Sequence, residues 1–192
     1  MTSIEDHLWT WASTAYGRGA AKTVLIDVQD RFGLHVNTIL WSAWCGAAGH
    51  GVQRVEILNA IEIADQWSGR VTAALRDARR GVRMVPARFF SQKAGDLYED
   101  IKVIELAAEK LELGMLAKLV ASNEAIIEFA RQPPNPLERH RTGEAMNIAR
   151  RNVMAYLAEI KVARLHGFSV TPIERILQEI FQATASSQGH GK

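Results

Sequence analysis

A chain of 192 residues, 47% hydrophobic and 23% charged, has ordinary globular composition. It is long enough to bury roughly 70% of its unfolded surface without disulfide or metal staples. The 23 Lys and Arg against 21 Asp and Glu leave a net charge of +2, which gives no general attraction to nucleic acid or acidic membranes. A single cysteine, Cys45, excludes an intramolecular disulfide and argues against a cysteine-based zinc site. The first ten residues carry Glu5 and Asp6, with neither the basic nor the apolar region of a secretion signal. The longest apolar runs, at 24–26 and 39–41, are far short of the roughly 20 residues that span a bilayer. The expected setting is a reducing cytoplasm, with no membrane insertion.

In chain order the periodicity is helical throughout. Ser3 reads as an N-cap with Glu5 and Asp6 in the first turn, and Ile4, Leu8, Trp11 and Ala15 share a face up to Gly17. A second helix spans about 20–32 and ends at Gly33, placed for a left-handed terminator. Asn37 reads as the N-cap of a third, at 38–47, apolar nearly all round and therefore expected at the centre of a bundle. Residues 53–80 continue the pattern, with Ser68-Gly69 as a possible bend. Residues 81–95 read as a connection.

A long helix at 96–121 is expected to turn Leu97, Ile101, Ile104, Ala108, Leu111, Met115 and Leu119 inward. A shorter piece at 122–131 ends at the Pro133-Pro134-Asn135-Pro136 break. A helix at 137–166 follows. The last begins at Thr171-Pro172-Ile173-Glu174, which reads as a threonine cap, an N1 proline and a reciprocal glutamate. The fold class is all-α: one multi-helix bundle of seven or eight helices over 1–184. Residues 137–184 form a C-terminal helical pair packed on it, and 185–192 a disordered tail.

Polar groups crowd between two apolar helices in Gln29-Asp30, Asn37 and the following Trp41 and Trp44. Two readings stay open, a capping network around Asn37 and a ligand-facing cluster. Glu105, Glu109 and Glu112 share a helix face and require compensation. Residues 70–93 hold seven cations against Asp77 alone, while 96–112 hold six acids against Lys102 and Lys110. Antiparallel packing of these two segments, with the charges along the seam, is the expected answer. The candidate ligand-binding residues are therefore Gln29, Asp30, Asn37, Trp41, Trp44 and Glu105.

No catalytic constellation stands out. Cys45 lies between Trp44 and Gly46 with no basic neighbour, as an inert buried thiol would. The six histidines show no ligand spacing on one helix, and neither a P-loop nor a Gly-x-Gly-x-x-Gly occurs. No metal and no cofactor is expected. The arginine run has only Phe89 and Phe90 near it and an acidic helix after it, so nucleic acid is a poor partner.

Gln29-Asp30, Gly33, Val36-Asn37, Leu40-Trp41 and Trp44 together resemble the signature of a small bacterial family known only as a domain of unknown function. The likeness continues through Trp67, Val71, Leu75, Arg79-Arg80, Ile104-Glu105-Leu106 and Glu109 to Asn152 and Tyr156-Leu157. It covers about residues 8–160, leaves 163–192 outside, and has His35 where relatives are expected to carry an acid. The resemblance implies a helical fold and brings no activity. The favoured reading is a non-enzymatic protein that forms homo-oligomers or binds a protein partner through an apolar helix face. The alternative is a small-molecule or apolar-ligand binder, an enzyme included, with a polar pocket near Asp30, Asn37, Trp41 and Glu105.

Overall fold

The computed structural model describes residues 3–89, 91–133, 143–161 and 166–181. Its helices are α1 (Ile4–Tyr16), α2 (Ala21–Phe32), α3 (Val36–Ala47), α4 (Arg54–Ile63), α5 (Ala73–Met84), α6 (Gln92–Lys118), α7 (Glu124–Ala130), α8 (Gly143–Glu159) and α9 (Thr171–Phe181). A π-helical segment, Ala64–Thr72, joins α4 to α5 without a break, so the described residues form eight rods and no strand. The bundle is all-α.

Local signals explain most boundaries. The Ser3 hydroxyl accepts from the Asp6 backbone N–H and caps α1. Gly33 closes α2 at φ 67°, a left-handed conformation in which its N–H reaches the Gln29 carbonyl. The wider turns at Ala64–Thr72 fall where Ser68 and Gly69 weaken α-helical propensity, and Ala73 N–H bonds back five residues to the Ser68 carbonyl. The rod then runs on to Met84, past the connection expected from position 81.

The apolar α3 sits at the centre, with every residue from Thr38 to Ala47 buried. Its closest partner is α8: a Cβ on Gly46 would lie 2.3 Å from the Ala149 Cα, so glycine is what lets the two backbones approach. Asn152 on α8 locks this crossing. Its amide donates to the carbonyls of Ser42 and His50, and its Oδ1 accepts from Val52 N–H. Trp11, Trp41 and Trp44 are fully buried, and the Trp44 indole donates to His7 Nδ1.

Three local expectations are corrected. Asn37 does not cap α3: the helix begins two residues earlier than expected, at Val36, and the Asn37 amide reaches Glu112 instead. Glu174 does not fold back on Thr171, because its carboxylate accepts from Arg150 on α8 at 2.6 Å. On α6, Leu97, Ile104 and Leu111 point to solvent, and the buried face is Glu105, Ala108, Glu112, Leu113, Leu116 and Ala117. Arginines from α5 stabilise that acidic face inside, which displaces the apolar stripe outward. Residues 134–136 of the proline break, the start of the helix expected from 137, and the 185–192 tail lie outside the described residues.

Candidate functional site

The α5 and α6 rods are antiparallel, as the pairings along their seam require. Arg76 binds Glu109, Arg79 binds Glu105, and Arg83 lies over the Tyr98 ring, so positions rise on one helix as they fall on the other. Glu105 is 6% exposed and carries the densest network. Arg79 donates to both its oxygens, Nε at 2.5 Å and Nη2 at 3.3 Å, and Arg76 Nε adds a third bond at 3.2 Å. The Arg79 Nη1 goes to the Tyr98 hydroxyl. Hydrogen bonding to Glu105 raises the Arg79 pKa, so its charge is fixed.

Between this hairpin and the first three helices lies a cleft of about 580 Å³, within the range of small-molecule sites. Its apolar side comes from α1 and α3, with Trp9, Ala12, Tyr16, Val36 and Leu40. Its polar side comes from Gln29 and Asp30 on α2, Asn37 on α3, and Arg76, Arg79 and Arg80 on α5. Glu105, Glu109 and Lys102 close it from α6. The π-helical segment contributes Ser68 and Thr72. Thr72 is 1% exposed, and its hydroxyl has no hydrogen-bond partner among the described residues, a costly state for a buried polar group.

Charge in the cleft is unevenly committed. Glu105, Glu109, Arg76 and Arg79 form an internally neutral quartet. Asp30 is bridged by Arg80 at 3.3 Å, with both side chains about half exposed. That pair also borders a shallower depression of about 290 Å³ toward His35 and Asp77. Lys22 sits at the rim over the Tyr16 ring. Burial raises the pKa of Glu109, with Arg76 opposing, and burial raises the Tyr16 hydroxyl as well.

Of the residues singled out from sequence, Gln29, Asp30, Asn37 and Glu105 meet at this cleft. Trp41 and Trp44 are fully buried in the core and are not among its lining residues. Sequence reasoning missed Trp9, Thr72 and Tyr98. Trp9 carried a weak signal as one of five tryptophans, whereas Thr72, buried in the wall on the π-helical segment, carried none. No cluster of three or more His, Cys, Asp or Glu able to hold a metal occurs among the described residues. No described helix is long and apolar enough to cross a membrane.

This is an all-helical bundle with a mixed polar and apolar cleft beside a buried arginine–glutamate network. Residues 7–116 match the family described as "Protein of unknown function (DUF2390)", and the chain belongs to that family. No curated protein and no solved structure matches.

Proposed function

We propose that the cleft is a binding site for a small organic molecule with an apolar body and a polar end. The carrying observation is the cavity itself: about 580 Å³, apolar on the α1–α3 side and polar on the α5 side, with the Thr72 hydroxyl buried and unsatisfied in its wall. Every lining residue falls between Trp9 and Leu113, inside the segment that matches the family. The groups present bind and orient; they include no nucleophile paired with a base, so the reading is of binding and not of catalysis.

The test uses the fluorescent dye 8-anilinonaphthalene-1-sulfonate, which has an apolar body and an anionic end. Ser13 and Ser68 line opposite walls and are not fully buried, so Ser13→Phe with Ser68→Phe fills the cleft without straining the core. Saturable dye binding that the double variant loses, at unchanged helicity, supports the reading. Dye emission equal in both proteins overturns it.

A second reading, self-association, is favoured by the outer face of α6. Leu97, Ile104 and Leu111 are 50%, 53% and 59% exposed, an unusual placement for three large aliphatics on one helix. Light scattering across a concentration series tests it.

A further inference from the structure

We propose that two copies of this chain pair through α6, antiparallel, about a two-fold axis that passes beside Ile104; this deepens the self-association reading and rests on it. Leu97, Ile104 and Leu111 are seven positions apart, and each heptad step turns the face by only about 20°. They form one line about 21 Å long. Ile101 and Met115 flank it half-buried, while Ala108, the residue that would complete a coiled-coil spacing, is turned into the protein's own core.

Charge decides the direction. The exposed charges in the N-terminal half of α6 are Asp96, Glu99 and Asp100 against Lys93 and Lys102, with Lys102 held by Glu99, so this half is acidic by one charge; the exposed C-terminal half carries Lys110 and Lys118. The acids of that second half do not answer them, because Glu105 and Glu112 are buried and Glu109 is turned to Arg76. Parallel copies would set acid beside acid. An antiparallel pair sets each acidic half beside a basic one.

Position fixes the register. With the axis at 104, Leu97 of one copy meets Leu111 of the other, and Ile104 meets itself. Lys110 of the second copy then falls level with position 98, between Asp96 and Asp100 and on the same flank of the helix as both. Within one chain Lys110 holds Asp6 at 2.8 Å with both groups about half exposed, so its amine is open to a further carboxylate. Such an interface is isologous and closes at two copies.

Single cysteines test the axis. Helices packed about 8–10 Å apart bring facing Cα atoms to about 4–6 Å, within disulfide reach. Cys45 is buried and stays out of the reaction. Ile104→Cys is expected to oxidise to a covalent dimer. Leu97→Cys and Leu111→Cys are each expected to remain single chains alone and to cross-link when mixed. Ile104→Asp, at a half-exposed position, is expected to keep the helical spectrum and weaken association by about tenfold or more. Association in light scattering without the Ile104→Cys cross-link, or undiminished in Ile104→Asp, overturns the antiparallel α6 pairing while self-association stands. A single-chain mass at every concentration overturns both.

Discussion

The Asn37 amide donates to Glu112 Oε2 at 2.9 Å and ties α3 to α6 behind the cleft. Glu112 is almost fully buried, and its Oε1 has no partner among the described residues. Burial pushes its carboxyl from near 4.5 up to about 7; the Asn37 bond and Arg76 oppose this, and Glu109 adds to it. In the unfolded chain the group ionises near 4.5, so between that pH and about 7 the folded state holds the extra proton. Stability is therefore full below this window, falls as pH rises through it and levels off above. The raised Glu109 acts with the same sign. Glu112→Gln never ionises, so its stability relative to the parent should grow with pH, by at most about 3 kcal/mol above pH 7. Denaturant titrations of both proteins from pH 4.5 to 8 check this. A variant whose advantage shrinks with rising pH contradicts it.

Glu105 is the anion on which the seam depends. Glu105→Ala leaves Arg79 and Arg76 facing an empty buried site, and the loss should be about 2–3 kcal/mol, discounted for the partial exposure of both arginines. The Arg54–Glu159 pair has comparable geometry but lies at the surface, so Glu159→Ala should cost far less. Urea midpoints compare the two variants. Equal losses would mean that burial of the seam contributes nothing.

Asn152 hydrogen-bonds three backbone groups of α3 and its following turn. Asn152→Ala removes all three bonds from the core and should cost about 3 kcal/mol. Asn152→Asp keeps an acceptor for Val52 N–H but sets a carboxylate against two carbonyls, so it should do no better. Thermal melts followed by circular dichroism measure both.

Two helical glycines should respond oppositely to a methyl group. Gly46→Ala drives a Cβ into the Ala149 backbone, which cannot yield without separating α3 from α8, and about 3 kcal/mol or more should be lost. Gly81, inside α5, has nothing within 4 Å of its would-be Cβ. Gly81→Ala should gain about 0.5–1 kcal/mol from helix propensity alone. The same denaturation series measures both, and a loss at Gly81 would show that α5 has an unseen neighbour.

Much of the candidate site was visible before any tertiary contact. Gln29, Asp30 and Asn37 stood out because polar groups crowded between apolar helices must find partners, and Glu105 because like charges one turn apart demand cations. Which partners they found was not visible. Asn37 had the residue type of a cap and the position to serve as one, yet it reached across 75 residues to Glu112. Thr72, at the end of the π-helical segment, joins the cleft wall without any signal in the sequence.

What the linear order of residues settled by itself was local: helix against strand, the cap at Ser3, the left-handed stop at Gly33, and opposite charges on successive rods. These rest on interactions within a turn or two, which any short segment carries with it. Tertiary structure alone decided which face of α6 turned inward. That helix has an aliphatic stripe at Leu97, Ile104 and Leu111 and an acidic one at Glu105, Glu109 and Glu112, and hydrophobicity favours burying the first. The arginines of α5 reversed the choice, since a carboxylate held by two guanidinium groups can be buried where a lone one cannot. That energy exists only once the rods have met.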